Sequence, residues 1–116
     1  MRREVEYFDE ETIEAEIAAL ERSDAIKLLY LLELYRTCGI QATSPLYIED
    51  YGEGLLLLRH TSGAYKGRCF FVTTIKRKDF QKCVVLLVYR KESQKADPQA
   101  VERARRRMET ILKENR

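Results

Sequence analysis

Three cations, Arg59, Lys66 and Arg68, fall within ten residues of the stretch GLLLLRHTSGAYKGRCFF, which spans Gly54 to Phe71. Cations grouped this way, with Tyr65 among them, are the residue types that hold a phosphate. They also suit RNA cleavage in which the substrate provides its own nucleophile. The 2′-hydroxyl attacks the adjacent phosphorus, and the protein supplies positioning, positive charge for the developing phosphorane and help with proton transfer. Arg and Lys provide the first two, and a lysine among cations can serve the third. The same residues equally describe the solvated face of a hairpin.

Other chemistries are excluded by what the chain lacks. It has a single histidine, His60, so a two-histidine acid–base pair is impossible. It carries no HExxH, DxD, phosphate-loop or GxSxG motif. Gly52-Glu-Gly54 lacks the third glycine and the strand–helix setting of a dinucleotide loop, and reads as a turn. The carboxylates crowd into the first half and leave the strand-rich half nearly bare, so no metal and no cofactor is expected. Cys38, Cys69 and Cys83 are odd in number and have no CxxC spacing. They read as reduced, buried thiols in a cytoplasmic protein.

Charge is divided along the chain. Residues 1–53 hold 5 Lys/Arg against 13 Asp/Glu, a net of −8, and residues 54–116 hold 16 against 6, a net of +10. The basic half can attract a polyanion, or the two halves can attract each other. With 45% apolar and 34% charged residues the composition is that of a folded globular chain. There is no 18-residue apolar run for a membrane span, and the early acidic residues without an apolar stretch lead us to expect no secretory leader.

The elements that must position the cations follow from periodicity. Val5–Phe8 alternates as a first strand. Asp9 caps a helix containing Ile13, Ile17 and Leu20, and a leucine-rich helix follows from Ala25 to Cys38 with Gly39 at its end. Turn signals fill Ile40 to Gly54. Strands are expected over Leu55–His60, Ala64–Ile75 and Lys82–Lys91, the last apolar on both faces and therefore interior. Asp97-Pro98 opens a final helix with an apolar stripe through Val101, Ala104, Met108, Ile111 and Leu112, flanked by Arg103, Arg105, Arg106 and Arg107. The 116 residues suit one domain. Its class is α+β, a small mainly antiparallel sheet with two N-terminal helices and one C-terminal helix. Strand alternation puts Lys66 and Arg68 on one face. Arg59 ends one strand, and Tyr89, Arg90 and Lys91 end another.

Three segments in this order, GxGLLLLR, GAYKGRCFF and VVLLVYRKESQKADPQAVERARRRM, resemble the HigB/RelE toxin superfamily, in particular its phage-derived HigB-like branch. The resemblance spans about residues 52–112 and is most specific in Lys91-Glu-Ser-Gln-Lys95 followed by the proline-opened helix with Glu102, Ala104 and Arg107. It implies a RelE-like fold and the toxin of a type II toxin–antitoxin pair: an endoribonuclease that cuts mRNA on the ribosome without metal, neutralised by a cognate helix-turn-helix antitoxin. Carried over residue by residue, Arg59 matches the motif's arginine and Tyr65 its tyrosine, while Lys66 stands where the branch has arginine. Lys91, Gln94 and Lys95 match a basic run in which Glu92 replaces a cation, Leu57 replaces a glutamate, and Asp97 is an addition before Pro98. Arg59, Lys66 and Arg68 are thus the expected catalytic group. Tyr65, Tyr89, Arg90, Lys91 and Lys95 are the expected RNA contacts. The alternative on the same fold is a catalytically degenerate regulator that binds RNA or protein.

Overall fold

The structure, a computed structural model, describes residues 2–38, 46–61, 66–76, 78–91 and 97–114. The elements are β1 (Arg2–Tyr7), α1 (Glu10–Ala18), α2 (Arg22–Cys38), β2 (Leu46–Asp50), β3 (Leu55–His60), β4 (Gly67–Lys76), β5 (Phe80–Arg90) and α3 (Pro98–Glu114). The five strands form one sheet in the order β1-β5-β4-β3-β2, parallel between β1 and β5 and antiparallel elsewhere. This is the α+β architecture read from periodicity, with one strand added.

That strand is β2, in a segment whose sequence is dominated by turn signals. It is five residues long, closes one edge of the sheet and ends in Glu49-Asp50, so it offers neither length nor a strong apolar alternation. The turn after it fixes its register. Gly52, Glu53 and Gly54 all have positive φ (88°, 57° and 87°), a left-handed run that glycine enters without steric cost. Asp50 Oδ1 accepts the Gly52 N–H at 2.7 Å, and Tyr51 N donates to Leu55 O at 2.9 Å. The resulting hairpin pairs Tyr47 with Arg59.

The helices sandwich the sheet. Asp9 caps α1 with backbone in the extended region, its Oδ2 accepting from Thr12 N at 3.0 Å and from Thr12 Oγ1 at 2.6 Å. Those bonds favour the charged carboxylate and hold it below its ordinary range. From α1 and α2, Ile13, Leu28, Leu31 and Tyr35 pack on one face of the sheet with Leu56, Leu58, Cys69 and Cys83. From α3, Ala100, Ala104, Met108 and Ile111 pack on the other face with Leu55, Leu57, Phe70 and Val84. Strand β5 is interior and apolar on both faces, as its unbroken hydrophobic run requires. Cys69 and Cys83 are buried, and burial pushes both thiols up, whereas Cys38 is exposed at the end of α2, contrary to its reading as a core residue.

Strand β5 carries a bulge that periodicity does not show. Phe70 pairs with Leu87 but Phe71 with Val85, so Leu86 is the extra residue. Before it, odd positions face α1 and α2 (Cys83, Val85). After it the parity reverses: Val88 faces α1 and α2, while Leu87 and Tyr89 face α3. At this level β1 has already ended, since Tyr7 is its last paired residue and Phe8 N donates to Val85 O at 2.8 Å. The open edge of β5 is closed by side chains from both layers. Glu16 of α1 accepts the Val88 N–H at 2.9 Å. Arg107 of α3 donates to Leu86 O and to the other Glu16 oxygen, both at 2.9 Å. Its guanidinium lies 5.4 Å from the centre of the Phe8 ring.

Of the four arginines that flank the apolar stripe of α3, two are structural: Arg107 as above, and Arg105, which donates to Tyr51 O at 2.7 Å. The divided charge is also partly internal. Glu16–Arg107, Glu16–Arg103, Glu21–Arg90 and Glu6–Lys82 each join the acidic half to the basic half.

Removing Arg107 leaves a half-buried carboxylate and a ladder carbonyl without this donor. Arg107→Ala is expected to lower stability by about 2–3 kcal/mol, below the ~3–5 kcal/mol of a fully buried pair because the side chains retain some water. Glu16→Gln, which keeps an acceptor for Val88 N, should cost about half as much. Urea unfolding followed by circular dichroism reads both; equal and negligible losses would show that the clamp does not hold the edge.

Candidate functional site

On the α3 face, four strands contribute one row of side chains. Tyr47 of β2 pairs with Arg59 of β3, and Arg68 of β4 pairs with Tyr89 of β5. The ladder between β3 and β4 reaches Leu58↔Cys69, one step short of Arg59 and Arg68, so the two arginines are neighbours on adjacent strands. The row therefore reads Tyr–Arg–Arg–Tyr. Tyr47 is missing from the sequence-based set because β2 itself was missed. The Gly52-Glu-Gly54 turn directly before β3, taken as a hairpin turn, is the one local hint of a partner strand there.

The two arginines have different surroundings. Arg59 is half-buried, with its guanidinium 4.0 Å from the centre of the Tyr47 ring, and Tyr47 is 40% exposed. This cation–π contact presents charge and an aromatic surface together at the sheet edge. Arg68 is only 7% exposed and donates to Gly67 O at 2.9 Å. A guanidinium this deep acts mainly as a fixed positive charge, strengthened by the low-dielectric surroundings, and presents little surface for direct contact.

Beneath the row, Phe70 stacks on Tyr89 (centroids 5.7 Å apart, planes at 11°) and meets Tyr51 edge-on (5.4 Å, 75°). Both tyrosines are tied to α3. Arg105 holds the Tyr51 carbonyl, and the Tyr89 hydroxyl accepts the Asp97 N–H at the helix start. Asp97 caps that helix, its Oδ1 accepting from Gln99 N at 3.0 Å, with Pro98 first in the helix as the sequence indicates. Burial raises the Tyr89 hydroxyl to about 12, with Tyr51 adding to the rise and Arg68 opposing it. Tyr51 is also raised, first by burial and then by the Glu49 carboxylate that it bonds, against the pull of Arg59 and Arg68. Both phenols thus remain hydrogen-bond donors beside two permanent cations.

The remaining expected residues divide. Lys66 is exposed at the mouth of the β4–β5 pair, where its carbonyl accepts the Lys91 N–H at 2.6 Å. Lys66 and Lys91 each stand one residue beyond the strand ends, where this backbone bond extends the β4–β5 ladder past Gly67↔Arg90. Arg90 goes to the opposite face, where it lies 3.8 Å from Glu21, and His60 is likewise on the Leu58 side of β3. Tyr65 and Lys95 lie outside the described residues. No group of three or more His, Cys, Asp or Glu side chains able to hold a metal ion occurs among the described residues. Also among these residues, no helix is long and apolar enough to cross a membrane.

With this geometry in place, comparison with known families is informative. Residues 15–109 match the model of the family described as Phage derived protein Gp49-like (DUF891). The chain belongs to this family. Gp49-like proteins fall in the RelE/HigB-like toxin group, in keeping with the resemblance carried by the strand and α3 motifs. The match runs from α1 through most of α3 and so includes every strand that contributes to the Tyr–Arg–Arg–Tyr row. No curated protein matches the chain.

The raised Tyr89 hydroxyl has a measurable consequence. The unfolded chain loses this proton near pH 10 and the folded chain near pH 12, so the native state holds more protons in between. The stability contributed by the neutral phenol is complete below pH 10 and is lost as pH rises through 12. Ultraviolet titration of tyrosinate should show a late step near pH 12 that disappears in Tyr89→Phe; an unchanged titration would place the perturbed phenol elsewhere.

Proposed function

We infer that this Gp49-like protein is the toxin of a type II toxin–antitoxin pair, a RelE/HigB-type endoribonuclease that cuts mRNA on the ribosome without a metal ion. The observation that carries the reading is the pair of adjacent arginines, Arg59 and Arg68, set between Tyr47 and Tyr89 on one sheet face. Arg59 and the exposed Lys66 contact the scissile phosphate. Arg68, from below, adds the fixed positive field that favours charge on the phosphorane. Tyr47 stacks a nucleobase, and Lys91 with Tyr65 and Lys95 extends the RNA contact. In the reaction the substrate 2′-oxygen forms a bond to phosphorus and its proton passes to water. The bond from phosphorus to the 5′-oxygen breaks, and Lys66 protonates that oxygen, leaving a 2′,3′-cyclic phosphate and a 5′-hydroxyl. An adjacently encoded helix-turn-helix antitoxin is the expected partner.

Burial of Arg68 supports a second reading, a degenerate member that binds RNA without cutting it, because the fork that would grip phosphate is largely covered. Harmless expression combined with steeply salt-dependent RNA affinity would favour it.

Induced expression is expected to arrest growth, and purified ribosomes carrying mRNA should show cuts within codons. Arg59→Ala combined with Lys66→Ala should reduce cleavage by at least ~10²-fold, the usual cost of removing transition-state charge stabilisation. Tyr47→Ala should weaken it about tenfold, in line with ~1–3 kcal/mol per stacked base. Arg90→Ala, on the opposite face, should leave it unchanged. Full toxicity in a folded Arg59→Ala/Lys66→Ala variant would remove these residues from the site.

A further inference from the structure

The row Tyr47–Arg59–Arg68–Tyr89 has a neighbour on the same face of the sheet. One step along the strands, toward the Gly52-Glu53-Gly54 turn, Glu49 pairs with Leu57, Leu57 with Phe70 and Phe70 with Leu87. Leu57, Phe70 and Leu87 are buried under α3. Directly opposed residues of an antiparallel pair share a face, so Glu49 stands with Leu57 on the α3 side, between Tyr47 and Tyr51 on its own strand. It is exposed at the sheet edge. A row that is otherwise apolar therefore ends in a carboxylate open to solvent, one step from the arginines.

That carboxylate is held in place. It accepts a hydrogen bond from the Tyr51 hydroxyl. Tyr51 is itself fixed twice, by Arg105 on its carbonyl and by the edge-on contact with Phe70. The same hydroxyl feels the charges of Arg59 and Arg68, so Glu49 belongs to their electrostatic neighbourhood. Glu49 is also the diagonal neighbour of Arg59 across the β2–β3 ladder, a spacing of about 7–8 Å. A phenol donates one hydrogen bond and a carboxylate has room for several, so Glu49 keeps acceptor capacity for a substrate.

Attack by a 2′-hydroxyl needs a proton acceptor on the side of the entering oxygen, and the entering and leaving oxygens lie roughly in line through phosphorus. Along the strands, Glu49 stands on the Phe70 side of the arginine row, and Lys66 stands beyond Arg68 on the other side. The row thus lies between a carboxylate and an amine. The other groups around it are poor acceptors. Burial raises the Tyr51 and Tyr89 hydroxyls, which keep their protons, and the arginines are permanent cations. His60 is on the opposite face of β3. We propose, on the endoribonuclease reading of this row, that Glu49 is its catalytic base and takes the proton of the substrate 2′-hydroxyl. The O–H bond breaks as the oxygen bonds to phosphorus, the bond to the 5′-oxygen breaks, and Lys66 protonates that oxygen. Glu49 then passes its proton to water and Lys66 regains one from water, which restores both groups.

Single-turnover cleavage of mRNA on purified ribosomes tests this with two substrates. One is the natural mRNA; the other carries sulfur in place of the 5′-oxygen at the cut, a leaving group that needs no proton. Glu49→Gln is expected to slow both by at least ~10²-fold, the usual cost of losing a general base. Lys66→Ala, which removes the proton donor, should recover on the sulfur substrate. Tyr51→Phe removes the hydrogen bond but keeps the carboxylate, and should cost far less than Glu49→Gln. Glu49 is exposed, and an unchanged melting temperature confirms that its variant is folded. Three results would overturn the proposal while wild-type protein still cuts. Wild-type rates in Glu49→Gln would leave the carboxylate without a role. Recovery of Glu49→Gln on the sulfur substrate would make Glu49 an acid. An equal loss in Tyr51→Phe would make it only a support for the phenol. Wild-type protein that cuts neither substrate would overturn the endoribonuclease reading and the proposal with it.

Discussion

The open edge of β5 beyond the end of β1 is the constraint from which the rest of this structure follows. A strand edge inside a folded protein has polar groups that need partners, and a bulge there adds to the demand. Glu16 and Arg107 meet that demand together, one from each helical layer. Two sheet faces that otherwise share little are thereby joined through Glu16, which reaches Arg107 at 2.9 Å and Arg103 at 3.9 Å. It also fixes where α3 lies along the sheet, and α3 carries Arg105 and Asp97 to the tyrosines of the candidate site.

The bulge has a second effect, on which residues face which way. Because Leu86 is inserted, Tyr89 joins Phe70 and Arg68 on the α3 side, and Arg90 is sent to the α1–α2 side. Simple alternation through β5 would exchange the two. The candidate site thus depends on a one-residue irregularity that the Glu16–Arg107 pair stabilises from outside the ladder. Its second determinant is the left-handed run Gly52-Glu53-Gly54, which sets the β2–β3 register and brings Tyr47 onto Arg59.

The two outer surfaces are separated by the sheet. One is cationic and aromatic, with arginines at two depths; the other, a groove between α1 and α2, is apolar and lined by both Glu14 and Arg22. Glu6, Glu16 and Glu21 are spent on contacts with the basic half.

Much of this was legible in the amino-acid order. The Asp9 and Asp97 caps, the two N-terminal helices and the interior character of Cys83–Val88 follow from local rules, since capping chemistry and apolar periodicity act over a few residues. The family motifs pointed to the RelE/HigB-like toxin group, within which the Gp49-like family falls, for the same reason: each motif is contiguous. What only the tertiary structure decided depends on residues distant in sequence. Strand β2 is too short and too polar to declare itself before β3 pairs with it. The reversal of parity at Leu86 arises from pairing with β4. The burial of Arg68, the structural duties of Arg105 and Arg107, and the exposure of Leu29 beside buried Leu28 depend on which layer packs over each residue. No local pattern encodes that layer, because it is fixed only when α1 and α3 close on opposite faces of one sheet.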